Sequence, residues 1–487
     1  MFLKTVACSF ISMLAMALPA AIAQAEDFQA QGKNSVADID ARNTQPSDID
    51  GDWLGVVDLG QMKLRMVMHI VNTENGLNIL IDSPDQNASG LRTDEIIRNG
   101  DNMKLKMKSL KAEIEGQFNS DRTTFTGTLN QGASFPIVLK LTTSKSELKL
   151  PARPQNPVKP YPYREEEVVY DNKTAGIQLA GTLTIPPGNG PFPAVVLITG
   201  SGPQDRDETL LGHKPFLVLS DYLTRRGIAV LRTDDRGVGK STGNFNASTT
   251  ADFATDTEAG IAFLKTRTEV NPKKIGLIGH SEGGIIAPMV AARDHDVAFI
   301  VMMAGSGVSG DEILVSQAQL LSEVAGASHE AAEKNATKER EVLALVKQEH
   351  EGKNDAVLEK QIREKLAGDI PDAALGMEIQ KLNSPWVHYF INYDPSIALQ
   401  KVACPVLALN GEKDLQVSSK QNLPAIRKAL EAGGNKNFEA VELPGLNHLC
   451  QTAKTGAVSE YAQIDETIAP AALDKIASWI QRVVRAN

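Results

Sequence analysis

Cysteine is scarce: three residues in 487. No Cys/His cluster has zinc spacing, and no glycine-rich loop fits a nucleotide. Neither charge dominates. Fifty Lys and Arg stand against sixty Asp and Glu, a formal net charge of −10, which argues against nucleic acid as a partner. A long apolar run is also missing. The one near the N-terminus, Thr5 to Leu18, is short for a membrane span.

That run has another reading. Lys4 precedes it, and Ala23-Gln24-Ala25 is a small-x-small cleavage site followed by Glu26 and Asp27. Residues 1–25 are therefore expected to be a signal peptide, and the chain to be exported, periplasmic or secreted, with no membrane span once the signal is removed. Cys8 leaves with the signal. Cys404 and Cys450 remain, at opposite ends of an expected strand and about 20 Å apart, so they are expected to stay free thiols.

What is present divides the chain. Hydrophobic residues make up 42% of it, ordinary for a globular protein, and the length suggests two or three units. Residues 26–50 form a polar leader. From Gly51 the apolar period becomes two: Leu64, Met66, Met68 and Ile70, then Met103, Leu105 and Met107. With Asn75-Gly76 and Asn99-Gly100 as hairpin turns, residues 51–150 are expected to be a small antiparallel β domain, its methionines filling core gaps. Pro151 to Pro162 holds five prolines in twelve residues, an extended linker over 151–163. From Arg164 to the C-terminus strands and helices alternate, which predicts an α/β fold with a doubly wound sheet. An Ala/Glu/Lys/Leu-rich stretch over about 307–394 is too long for a bare loop and predicts an inserted helical cap.

The chemistry gathers at Gly279-His280-Ser281-Glu282-Gly283. An apolar strand, Ile275 to Ile278, precedes it and an apolar helix follows. G-x-S-x-G in that setting is a nucleophile elbow, which lifts a serine hydroxyl above the sheet edge. Such a serine needs a base and an acid on loops at the carboxyl ends of later strands, acid first. Five histidines follow Ser281: His295, His329, His350, His388 and His448. Only His448 is delivered by a turn after a core strand; His388 would need the cap to close. Asp414 or Glu412 can supply the acid, with Asp414 preferred because Leu415 and Val417 can bury it. The second oxyanion donor, beside the amide of Glu282, is expected in Thr199-Gly-Ser-Gly202: Ser201, with Gly200 or Gly202 as alternatives. Trp386, His388 and Tyr389 of the cap are candidates to line a substrate pocket, although packing on the core explains each equally well. Arg206 is expected to pair with an acidic neighbour. Asp234 to Ser241 ends in Gly-Lys-Ser, but Asp234 occupies the position where a phosphate loop needs glycine. It reads as a glycine turn pinned by Asp235 or Arg236.

Taken together, Gly-Ser-Gly-Pro-Gln-Asp-Arg-Asp207, Asp-Arg-Gly-Val-Gly-Lys-Ser241, Gly-His-Ser-Glu-Gly-Gly284, Gly-Glu-Lys-Asp414 and Asn447-His448 resemble bacterial α/β-hydrolase-fold serine esterases of the Thermotoga EstD kind, from Arg164 onward. Some members carry a β-rich domain ahead of the hydrolase domain. The resemblance implies a carboxylesterase for short acyl esters, with no metal or cofactor. It puts Ser281, Asp414 and His448 on the triad positions, and Ser201 and Glu282 on the oxyanion positions. The group is also similar to prolyl oligopeptidase-clan peptidases and acyl-CoA thioesterases. A peptidase, a thioesterase, or a non-catalytic envelope protein on the same scaffold therefore stand as alternatives.

Overall fold

The computed structural model describes residues 48–486, apart from 59–62, 75, 87, 109, 111, 132, 145–147, 149–152, 349–354 and 367–371. The expected signal segment and nearly all of the polar leader lie outside these residues, as do Asn75 of the first expected hairpin and Pro151 of the linker. Among the described residues, no helix is long and apolar enough to cross a membrane.

Alternating apolar residues build the first sheet. Its strands are β1 (Gly51–Asp58), β2 (Lys63–Thr73), β3 (Gly76–Ser83), β4 (Ala88–Arg92), β5 (Glu95–Asn99), β6 (Asn102–Met107), β7 (Ala112–Phe118), β8 (Thr124–Gln131) and β9 (Ala133–Thr142). Their order is β4-β3-β2-β1-β9-β8-β7-β6-β5. The outermost strands, β4 and β5, are joined only by Thr93 and Asp94. Two residues bridge about 11 Å at most, whereas nine flat strands would stand roughly 40 Å across. The sheet must curl until its edges nearly meet. Its inner face is the buried set Trp53, Met68, Ile70, Ile79, Met103, Leu105, Ile114 and Phe125.

The second sheet contains β10 (Arg164–Asn172), β11 (Ile177–Ile185), β12 (Phe192–Ile198), β13 (Ala229–Thr233), β14 (Val270–His280), β15 (Ile300–Met303), β16 (Val406–Gly411) and β17 (Phe438–Leu443), in the order β10-β11-β13-β12-β14-β15-β16-β17. β10 and β11 form an antiparallel edge; from β13 to β17 neighbours are parallel. Helices cover both faces: α1 (Pro215–Thr224), α2 (Thr250–Lys265) and α3 (Gly283–Ala291), then α4 (Gly310–Val324), α5 (His329–Gln348), α6 (Asp355–Leu366), α7 (Asp372–Leu382), α8 (Pro385–Asn392) and α9 (Pro395–Leu399) between β15 and β16, then α10 (Ser419–Ala432) and α11 (Pro470–Ala486). Each central strand is apolar on both sides. Val195 and Leu197 pack toward α1 and α11, while Val196 and Ile198 pack toward α2 and α3. Cys404 and Cys450 are free thiols.

The proline-rich segment is more than a spacer. Arg153 is buried, and its guanidinium donates to the carbonyls of Leu211 (2.8 Å), Ile464 (2.7 Å) and Ala462 (3.1 Å). The Leu211 amide in turn donates to the Asp85 carbonyl of the β domain at 3.0 Å. The β-domain core runs on into Leu211, Leu415 and Leu449, so it packs against loops at the carboxyl edge of the second sheet.

Inside the β domain, His69 lies between Asp52 (2.6 Å from Nδ1) and Asp82 (3.0 Å from Nε2). Burial works against its charge; the two carboxylates outweigh burial and hold its pKa above the ordinary 6.5. A raised folded-state pKa gives stability that is complete below about pH 6.5 and is lost as pH rises through the folded value. His69→Gln should cost about 1–3 kcal/mol at pH 6, and the gap to wild type should narrow toward pH 9. Equal destabilisation at both pH values in denaturant melts would contradict the charged pairing.

Candidate active site

The carboxyl edge of the second sheet gathers the candidates. β14 ends at His280, and Ser281 follows with φ 52, the left-handed region that a serine occupies at a cost of about 1–2 kcal/mol. Its amide donates to the Met303 carbonyl at 2.8 Å, which pins the turn to β15. The flanking glycines leave no room for a side chain. A Cβ on Gly279 would lie 1.9 Å from the Gly283 oxygen, and one on Gly283 would lie 2.2 Å from the Ile198 oxygen. Helix α3 starts here, and the Gly284 amide pairs back with the Ser281 carbonyl at 2.9 Å.

Asp414 follows β16 and His448 follows β17. His448 Nδ1 lies 2.9 Å from Asp414 Oδ2 and 3.1 Å from Oδ1, with both side chains buried. Asp414 Oδ1 also accepts the amides of Gln416 (2.9 Å) and Val417 (2.8 Å). Such a carboxylate fixes the ring's orientation and leaves Nε2 to do chemistry. The alternative acid, Glu412, instead accepts the Gly445 amide at an exposed position. The His448 ring centroid is 5.0 Å from that of His280, the neighbour of Ser281. Ser281 Oγ and His448 form no hydrogen bond here; such contacts often tighten only around substrate.

The loop after β12 passes close to Ser281. A Cβ on Gly200 would lie 3.3 Å from Ser281 Cβ. The Gly200 amide is already engaged, donating to Glu208 Oε1 at 2.8 Å, which removes it from the oxyanion alternatives. Arg206 clasps Asp234 from Nε and Nη2 and reaches Glu167. Asp235 Oδ1 accepts the Thr199 hydroxyl at 2.7 Å and Oδ2 the Gln204 amide at 2.8 Å. Arg236 pairs with Asp256. Both Asp235 and Arg236 thus pin the turn.

The cap meets the elbow at one hydrogen bond: Trp386 Nε1 donates to Glu282 Oε1 at 2.8 Å, and Thr250 Oγ1 donates to the same oxygen at 2.7 Å. Burial pushes the Glu282 carboxyl up to about 7. A narrow cavity of about 40 Å³ opens beside Glu282, walled by Thr199, Gly200, Asp235, Phe245, Phe253 and Ile286. Tyr389 stacks on Tyr393 instead, and the His388 carbonyl accepts from Asn392. Of the three cap candidates, Trp386 is the one seen hydrogen-bonded to the elbow among the described contacts. Sequence reasoning missed Glu208 and His280. The second lies inside G-x-S-x-G, and only the search for a histidine after the serine passed it over. Among the described residues, no group of three or more His, Cys, Asp or Glu could hold a metal ion.

An elbow on the central strand of a mostly parallel sheet, with an acid and a histidine on later loops and a cap inserted before β16, defines an α/β-hydrolase. The chain belongs to the family described as X-Pro dipeptidyl-peptidase (S15 family), whose model matches residues 175–439, more than half of the chain. It is similar to the esterase EstD of Thermotoga maritima, 27% identical over 344 residues covering 69% of this chain and 71% of that one. Among solved structures, an esterase of Pyrococcus furiosus is 14% identical over 66% of this chain and 91% of its own, with a TM-score of 0.41. An α/β hydrolase of a Penicillium species, GrgF, is 18% identical over 59% and 91%, with a TM-score of 0.40.

Gly283→Ala must displace either the helix or β12. It should lower stability by about 1–3 kcal/mol or more and reduce the soluble yield. A melting temperature within 1–2 °C (roughly 0.5 kcal/mol) of wild type would show that the close approach is softer than the geometry indicates.

Proposed function

We propose that this hydrolase is a serine carboxylesterase that cleaves short acyl esters through an acyl-enzyme. The observation that carries the reading is the buried Asp414–His448 pair beside a left-handed serine. His448 Nε2 takes the Ser281 proton, and Oγ attacks the ester carbonyl. Asp414 holds Nδ1–H and stabilises the imidazolium. The amides of Ser201 and Glu282 receive the oxyanion, each donor worth about 3–4 kcal/mol. The imidazolium then protonates the departing alcohol. Water, deprotonated by the same nitrogen, releases the acid. Trp386, with His388 and Tyr389, would border the acyl site.

Ser281→Ala should abolish p-nitrophenyl ester turnover and fluorophosphonate labelling while leaving the fold intact. Asp414→Asn should lower kcat by about 10⁴-fold. Labelling that persists in Ser281→Ala would end the proposal. Amide hydrolysis is a second reading, supported by the description of the matching family. Release of amine from aminoacyl-naphthylamides faster than alcohol from esters would favour it. We also propose export, on the strength of residues 1–25. The mature protein should begin at Glu26, and an N-terminal sequence starting at Met1 in the exported fraction would refute cleavage.

A further inference from the structure

The residue before Ser281 has a hydrogen-bond partner on each ring nitrogen. His280 Nε2 lies 3.1 Å from the His448 carbonyl, which can only accept, so Nε2 carries a proton. Nδ1 lies 2.9 Å from Glu208 Oε1. That same oxygen accepts the Gly200 amide. An oxygen that already accepts a backbone amide fits a carboxylate, and a carboxylate facing Nδ1 requires Nδ1–H. The ring then holds both protons. Exposure is 7% for Glu208, 6% for His280 and 2% for His448, so water does not compete.

Glu208 is set in place deliberately. Its backbone has φ 54, and its amide donates to the Asp205 carbonyl at 2.9 Å. Asp205 Oδ1 accepts the amides of Asp207 and Thr209, and Asp207 is held by Arg232. A left-handed glutamate persists only where its surroundings over-determine it. A Cβ on Gly200 would lie 3.3 Å from Glu208 Oε1 and 3.6 Å from His280 Nδ1, so the pair sits directly beneath the loop next to the serine.

We propose that Glu208 and His280 form a buried ion pair that positions the active site. His280 anchors the His448 loop through its carbonyl, and Glu208 anchors the oxyanion loop through the Gly200 amide. Both are positioning residues: neither reaches the reacting atoms. The catalytic meaning rests on the serine-hydrolase reading above; the protonation of His280 does not. Glu208 and Asp414 act on His280, and the His448 ring stands 5.0 Å away; Cys450 lies near the same two carboxyls. Burial, with Asp414 and Glu208 adding to it, pushes the Cys450 thiol up to about 12, which leaves it neutral. Burial opposes the charge on His280; Glu208, the His448 carbonyl and Asp414 overcome it and raise its pKa.

The test uses the full chain with ¹⁵N-labelled histidine, read by imidazole nitrogen–proton correlation at pH 7.5, with His280 assigned from the spectrum of His280→Gln. His280 should show two protonated nitrogens, in wild type and in Ser281→Ala alike, and should become singly protonated in Glu208→Gln. One protonated nitrogen in wild type overturns the ion pair whether or not the protein turns over esters. In kinetics, Glu208→Gln should lower kcat roughly 10–100-fold with little change in KM, the signature of displaced groups. Unchanged kcat in a folded variant would overturn the positioning role. Absence of fluorophosphonate labelling in wild type would instead sink the hydrolase reading and leave the NMR result standing.

Discussion

Space at one turn constrains the rest. α3 starts so close to β14 and β12 beside Ser281 that neither Gly279 nor Gly283 can carry a side chain. That contact forces the left-handed serine, and the left-handed serine puts the hydroxyl at the sheet edge. The Met303 carbonyl then holds the serine amide. Parallel pairing carries the position outward. β12 lies on one side of β14, and β15 and β16 on the other, so the loops after β12, β16 and β17 all end at the level of the serine. The strain at Ser281 is small beside the packing that maintains it, because the strands here are buried on both faces.

Loops at such an edge have a polar problem. Their backbone is buried, so each amide and carbonyl needs a partner. The side chains that meet this need are the ones surrounding the candidate site. Asp414 takes two amides of its own loop as well as the imidazole. Asn447 Oδ1 takes the amides of Leu449 and Gln451. Arg153 takes three carbonyls from two loops, and the β domain supplies the Asp85 carbonyl to a third contact. The β domain is thus part of what orders the carboxyl edge of the second sheet, since its apolar core is continuous with the leucines beside Asp414 and His448.

Much of this could be read from the residues. The period of two in Leu64 to Ile70, the alternation of strands and helices after Arg164, and the Ser–Asp–His order each follow from local rules that need no partner. The curl of the first sheet was less legible, because it depends on β1 pairing with β9, some ninety residues on, and not on any local signal. Arg153 looked like part of a proline-rich spacer; its guanidinium is held by carbonyls 58, 309 and 311 residues away. Glu208 sits 72 positions before His280 in a polar stretch. Nothing in its neighbours marks it, since the carboxyl acquires its role only when two sheet-end loops are brought together.

Several carboxyls crowd the same rim, and their surroundings sort them. Asp414 and Glu208 each face the Nδ1 of an imidazole and accept backbone amides. Asp235 and Glu282 have hydroxyl, amide or indole donors but no cation, and burial raises both. Burial thereby discourages charge at Asp235 and Glu282, where no cation answers it. The distinction matters most at Glu282, whose own amide is offered to the oxyanion in the proposed mechanism. A second negative charge on that side chain would oppose the charge that develops on the substrate. Trp386 and Thr250 both donate to the carboxyl and so favour its ionised form; burial outweighs them and raises its pKa, so burial is what limits charge on that side of the site.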